Sequence, residues 1–188
     1  MTHKISNGMK SKKDPIVQVG DPVLREVAAP VAKKDIGSKK LNALIAKMKK
    51  ALEGEKYGVA LAAPQLGASL RLFVVAGRVF LPEESPEETL APSHQVFINP
   101  EIVRSSRKQS EMSEGCLSVR GKYGAVPRHE KTTVKAWDEE GKPFVRNGSG
   151  LLAQIFQHEV DHLEGILFVD KATKLDDWKE DDGKEKEG

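Results

Sequence analysis

Residues 151–165 read LLAQIFQHEVDHLEG, and this stretch decides how the rest of the chain must fold. Its leucine, isoleucine and phenylalanine residues recur at helical spacing, and glycines bound it on both sides, so it is predicted to be a helix apolar enough to be buried. Within that helix His158 and His162 are four residues apart and lie on the same face. Burying two histidines and Glu159 costs desolvation free energy, which a metal ion would offset. The stretch therefore predicts a buried metal-binding helix, and a chance histidine pair on an exposed helix is the weaker alternative.

A catalytic metal site commonly has three protein ligands and a water molecule, so the histidine pair needs a partner. The histidine of the longer metalloprotease motif is replaced here by Phe168, and the downstream glutamates lie in a charged tail that offers no rigid ligand. Cys116, the single cysteine, stands upstream in EGCLS. Read alone it would be a small buried hydrophobic residue. Read beside the histidines it is predicted to be the third ligand, and Glu159 can take a proton from activated water.

Length and composition narrow the class of protein. The 188 residues suffice for one domain with its own core. Lys and Arg number 30 against 28 Asp and Glu, and aromatic residues make up 5%, which argues against a stable nucleic-acid complex. One cysteine fits a reducing compartment. No secretory signal and no apolar run of roughly 20 residues is recognisable, so we expect a cytoplasmic protein without membrane association.

The domain is expected to span residues 15–175, after a flexible segment 1–14 and before a disordered acidic tail 176–188. Residues 38–53 are predicted to form an amphipathic helix capped by Ser38. The predicted strands are 71–76, 95–103 with a break at Asn99 and Pro100, and 131–137 with a return strand from Pro143. The fold class is therefore α+β: antiparallel β-strands packed around a central helix that carries the HExxH motif, with additional helices.

Three segments together resemble the peptide deformylase family: GVALAAPQ at 58–65, EGCLS at 114–118 and QHEVDH at 157–162. The resemblance covers most of the chain, leaving out the N-terminus, residues 82–94 and the tail. It implies a bacterial-type metallohydrolase that removes the N-formyl group from the initiator methionine of nascent polypeptides and releases formate. It also implies formyl-methionyl nascent peptides as partners. A monomer is expected. Transient ribosome contact is left open, although the acidic tail lacks the basic C-terminal helix that docks some members on the ribosome.

The resemblance also assigns roles to individual residues. The ligands of one divalent metal ion would be Cys116, His158 and His162. Fe(II) is the ion expected in the cell, with zinc, nickel or cobalt as substitutes. Glu159 would be the general acid/base, and the side chain of Gln65 and the backbone N–H of Leu117 would stabilise the oxyanion. Gln65 read alone would be an ordinary amide at the end of a loop.

A narrow apolar pocket is expected for the methionine side chain. Its lining is predicted to comprise Val59, Ala60, Met112, Gly115, Leu151 and Ile155, for which plain core packing is the alternative. Ala60 stands where the family usually has glycine, so its methyl group is expected to narrow the cleft or strain the backbone. Glu114 and Arg128 are predicted to form a structural ion pair that steadies the EGCLS segment. Two other functions stay open, a small zincin peptidase and a non-catalytic relative that binds metal or peptide.

Overall fold

A computed structural model describes residues 14–82, 84–86 and 89–177 of the chain. The predicted flexible segment, apart from Asp14, therefore lies outside the described residues, and so does the tail from residue 178 onward. Residues 176 and 177, which the sequence assigned to the tail, belong to the last strand. None of the helices in these described ranges is long and apolar enough to cross a membrane.

The regular structure of the described residues comprises two α-helices, eight β-strands and five short 3-10 helices. The α-helices are α1, Lys39–Glu53, and α2, Leu151–Leu163. The strands are β1 Ala60–Ala62, β2 Leu72–Val75, β3 Gln95–Ser105, β4 Gln109–Cys116, β5 Val119–His129, β6 Lys131–Trp137, β7 Pro143–Ser149 and β8 Lys174–Asp177.

The strands form two sheets in which all neighbours are antiparallel. One sheet has five strands in the order β1-β2-β3-β6-β7, and the other has three in the order β4-β5-β8. Helix α2 packs on the five-stranded sheet, where the ring of Phe156 lies 6.4 Å from that of Phe73 and 5.3 Å from that of Phe97. Gly148 of β7 permits this close approach, since a Cβ there would lie 2.9 Å from the Phe156 ring. The α+β prediction with a central α2 is confirmed.

Helix α1 covers another part of the same sheet. The Ser38 hydroxyl accepts a hydrogen bond from the Leu41 N–H at 3.2 Å and caps the helix as predicted. One face of α1 buries four apolar side chains in the core: Leu41, Ile45, Met48 and Leu52. The C-terminal end of α1 leads into β1 through residues 54–59, and these residues line a cleft.

The predicted irregularity at Asn99 and Pro100 is present, but it does not end the strand. Strand β3 runs on through both residues, and its register with β6 shifts there, between Ile98 and Glu101. Asn99 adopts a left-handed φ of 49° while its side-chain amide exchanges two 2.8 Å hydrogen bonds with the backbone of Val31. Asparagine tolerates that conformation better than most residues, so the strand absorbs the irregularity as a bulge.

Candidate metal centre

The three predicted ligands converge at one point. Cys116 is the last residue of β4, and α2 presents His158 and His162 to it from successive turns. The Cys116 Sγ lies 3.2 Å from His162 Nε2, and one ligand atom from each of the three residues falls within 4.8 Å of the others. A thiolate and two imidazole nitrogens at this spacing are a donor set for one transition-metal ion.

The chemistry of the surrounding groups fits a metal ion. His158 Nδ1 lies 2.9 Å from Glu114 Oε2, an arrangement that leaves Nε2 for a metal and is common among metal-binding histidines. Burial by itself raises the pKa of the Cys116 thiol, but His162 and His158 outweigh it and lower that pKa to about 5 from 9.0. The thiolate that a metal requires is therefore favoured at neutral pH.

Glu159 lies beside the ligands and is almost fully buried. Its side chain is part of the cleft wall, and its Oε2 atom has no hydrogen-bond partner among the described residues. Burial raises the pKa of this carboxyl from 4.5 to about 7, against the opposing effect of His158 and His162. A carboxyl group with a pKa near the working pH can both take up and release a proton.

A network of buried charges contacts the predicted ligand His158 through Glu114. The Arg128 guanidinium donates to both oxygens of Glu114, at 2.7 and 2.9 Å, and to Asp161 Oδ2 at 2.6 Å. Burial alone would raise the pKa of Glu114, but Arg128 and His158 lower it to about 2, so the carboxylate stays charged. The predicted pair of Glu114 and Arg128 is present, and it also orients the His158 ring.

Sequence reasoning missed Asp161 as the third member of this network and missed the contact between Glu114 and His158. The available signal was Asp161 itself, a carboxylate within a helix that was predicted to be buried. A buried charge needs a partner of opposite sign, and two cations supply it here: Arg128, and Lys171, whose Nζ donates to Asp161 Oδ1 at 2.6 Å.

Gln65 lies next to the cysteine sulfur. Its Oε1 accepts a 2.8 Å hydrogen bond from the Ala62 N–H, which turns the amide nitrogen toward Ser118 Oγ at 3.2 Å and Cys116 Sγ at 3.5 Å. The amide is 2% exposed and fixed in orientation. Leu117 follows Cys116, lines the same cleft, and accepts a 3.1 Å hydrogen bond at its backbone oxygen from the Gln18 side chain.

A cleft of about 860 Å³ opens over the site. Cys116, His158, Glu159 and Gln65 line it, together with five of the six predicted pocket residues: Val59, Ala60, Gly115, Leu151 and Ile155. Met112 is the exception, because it is not among the residues that line this cleft. It lies four residues before Cys116, which is roughly 13 Å along an extended strand, and it pairs with Val126 of β5 outside the cleft.

Ala60 and Gly115 both line the cleft. Ala60 begins β1, pairs with Val75, and is not among the residues with positive φ in the described chain, so the expected backbone strain is absent. Its methyl group is 7% exposed and forms part of the cleft wall. Gly115 is required for packing, because a Cβ there would lie 2.8 Å from the Tyr123 ring.

Comparison with known proteins gives one consistent result. The family model described as "Polypeptide deformylase" matches residues 13–178. The chain belongs to the polypeptide deformylase family. It is 44% identical over 156 residues to a peptide deformylase of Thermomicrobium roseum, a match that covers 83% of this chain and 84% of the relative.

Solved deformylase structures share the fold. A class I type b peptide deformylase from Acinetobacter baumannii with Met-Ala-Ser bound has a TM-score of 0.73 at 36% identity, covering 84% of this chain and 96% of that one. A peptide deformylase from Legionella pneumophila has a TM-score of 0.70 at 43% identity, covering 84% and 85%. As a member of this metal-dependent family, the chain is a hydrolase that removes the N-formyl group from nascent polypeptides.

Proposed function

We propose that deformylation proceeds here by attack of water on the formyl carbon, with Glu159 as general acid/base. The convergence of Cys116, His158 and His162 beside the buried Glu159 carries this proposal. These three side chains would hold a divalent metal ion, which when bound supplies Lewis-acid activation of water and of the formyl oxygen. We propose Fe(II) as that ion from the family resemblance, and the same soft and borderline donors would accept zinc, nickel or cobalt.

Glu159 moves the proton of the reaction. Its carboxylate accepts a proton from the attacking water and delivers it to the departing amino nitrogen, so the bond between formyl carbon and nitrogen breaks as formate is released. The pKa of about 7 suits both halves of this transfer, because neither protonation state is strongly favoured near neutral pH. Burial of the side chain keeps bulk water from competing for the proton.

Two donors would stabilise the negative charge that develops on the formyl oxygen. The Gln65 amide nitrogen is held beside Cys116 by the hydrogen bond between Oε1 and the Ala62 N–H, so it needs no reorientation during the reaction. The backbone N–H of Leu117 follows the cysteine directly and is the second proposed donor.

The substrate methionine would occupy the apolar part of the cleft. Ile155 and Leu151 come from α2, Val59 and Ala60 from the point where β1 begins, and Gly115 from the end of β4. An apolar cleft with a few fixed polar groups is typical of a small-ligand site. We expect the protein to act as a monomer. A thiolate open to oxidation supports action in the reducing cytoplasm.

Formate release from a formyl-Met tripeptide tests the proposal. Protein loaded with iron or nickel under anaerobic conditions is expected to release formate in step with the free amine. Cleavage of an internal peptide bond would instead favour a peptidase, and peptide binding without turnover would indicate a non-catalytic relative. Either of those two results contradicts the proposed reaction.

A further inference from the structure

The cleft has one irregular wall. Residues 54–59, here called the wall segment, connect α1 to β1 and line the cleft together with residues 119–123 at the beginning of β5. The backbone of the segment bonds chiefly to its own neighbours, with Glu55 N–H to Leu52 O at 3.1 Å and Gly58 N–H to Glu55 O at 3.2 Å. Tyr57 at its centre is 70% exposed. The distance between this wall and β5 therefore depends on contacts made by side chains.

Arg120 of β5 makes such a contact. Its guanidinium donates to Glu55 through two nitrogens, Nη2 to Oε1 at 2.7 Å and Nη1 to Oε2 at 3.3 Å. The same Nη2 donates to Asp14 Oδ2 at 2.8 Å. At the other end of the wall segment, Arg78 donates to the backbone oxygen of Gly58. One arginine side chain thus joins β5, the wall segment and the beginning of the described chain.

We propose that Arg120 is a positioning residue that holds the wall segment at the distance from β5 that an extended peptide requires. The inference rests on the proposed function, in which the substrate lies in this cleft. An extended peptide advances roughly 3.3 Å per residue, so the residues after methionine extend away from the metal ligands and lie between the wall segment and β5. If the wall segment and β5 keep this distance for only a fraction of the time, the apparent affinity for the peptide is the intrinsic affinity multiplied by that fraction.

The contacts of Arg120 favour positioning over direct binding of substrate. Its two terminal nitrogens already face carboxylates of Glu55 and Asp14, so the strong donors are engaged within the protein. The pair is also partly exposed, with 45% and 23% of the Arg120 and Glu55 side chains accessible. Exposed pairs contribute modestly, so the expected effect of breaking it is a change of about three- to fivefold in peptide affinity.

The test uses the metal-loaded full chain with Arg120→Ala. The Michaelis constant for a formyl-Met tripeptide is expected to rise about three- to fivefold with kcat unchanged. The dissociation constant of the deformylated peptide Met-Ala-Ser, measured by calorimetry, is expected to rise by the same factor. The control is Lys135→Ala, which breaks an exposed pair with Glu101 on the five-stranded sheet and is expected to change neither value. The exchange of Arg120→Glu with Glu55→Arg is expected to restore binding only in part, because it places a carboxylate beside Asp14.

Three results would overturn the inference. The first is a Michaelis constant and a dissociation constant that are both unchanged in Arg120→Ala, and the second is a loss of kcat alone. The third concerns a peptide with glutamate after methionine. If Glu55→Gln binds this peptide more tightly than the wild type does, Arg120 contacts the substrate directly. Should Arg120→Ala fail to fold, Glu55→Gln with Met-Ala-Ser replaces it, with a smaller rise expected. Absence of formate release by the wild type, with binding still dependent on Arg120, would contradict only the proposed reaction.

Discussion

Two arginine–glutamate pairs near the cleft show how differently one interaction is used within a single domain. Arg128 and Glu114 meet behind the metal ligands with side chains 3% and 2% exposed, whereas Arg120 and Glu55 meet at the rim with 45% and 23% exposed. A buried charge that loses its partner is costly, while an exposed pair contributes little. The buried pair therefore fixes the metal centre, and the rim pair adjusts the spacing of a wall.

The largest expected effect belongs to the buried region and concerns Glu159. Glu159→Gln removes the group that transfers the proton but keeps the shape of the side chain. We expect kcat for formate release to fall by about 10²–10⁴, the range for general acid–base catalysis. Metal content should be retained, since the ligands are untouched. A variant that keeps more than about a tenth of wild-type turnover would contradict the assigned role.

The next effect compares the two arginines directly. Arg128→Ala leaves Glu114 buried without its arginine, while Asp161 keeps its contact with Lys171, and we expect the free energy of unfolding to fall by about 3–5 kcal/mol. Arg120→Ala is the matched variant, with an expected loss of at most about 1 kcal/mol. Urea unfolding of both metal-loaded variants measures the difference. Equal losses would mean that burial does not separate the two pairs as described.

Gln65→Ala should act on turnover rather than on stability of the metal site. Loss of one donor to the developing oxyanion is expected to lower kcat by about 10²–10³. Ser118→Ala is the control, because it removes a partner of the Gln65 amide at 3.2 Å while leaving the donor in place. We expect that control to lose less than about tenfold. Similar losses in both variants would indicate that Gln65 only supports the local structure.

Ala60→Gly is expected to have the smallest effect. Because Ala60 has no positive φ, glycine gains no conformational advantage there and should lower the free energy of unfolding by about 0.5–1 kcal/mol. Removal of a methyl group from the cleft wall should shift the Michaelis constant for the peptide only slightly. A kcat that rises tenfold or more would show that the methyl group obstructs the reaction.

The parts of the fold that sequence predicted are those with a regular local pattern. Helix α2, helix α1 with its Ser38 cap, and the hairpin of β6 and β7 all show periodic apolar residues or clear turn residues. The three-stranded sheet was not predicted. Strand β8 is exposed throughout, and β4 alternates weakly, so neither carries an apolar pattern that reveals it.

The candidate site divides in the same way. The ligands and Glu159 could be predicted because burying two histidines on an apolar helix costs desolvation free energy, which a metal ion would offset. Met112 lies outside the lining of the cleft, and similarity of position in the sequence does not determine how far a cleft extends along a strand. Asp161 and Arg120 were not predicted as site residues. Asp161 contacts Arg128, 33 residues away in the chain, and Arg120 contacts Glu55, 65 residues away. Such contacts leave no local pattern.

The most direct test of the central claim is the metal content of Cys116→Ala beside that of Glu159→Gln, both purified without oxygen. Wild type and Glu159→Gln are expected to hold about one ion per chain, because their three ligands are intact. Cys116→Ala is expected to lose the ion, since two imidazoles remain where three donors converge. Full metal occupancy in Cys116→Ala would contradict the account, because the thiolate would then not be a ligand.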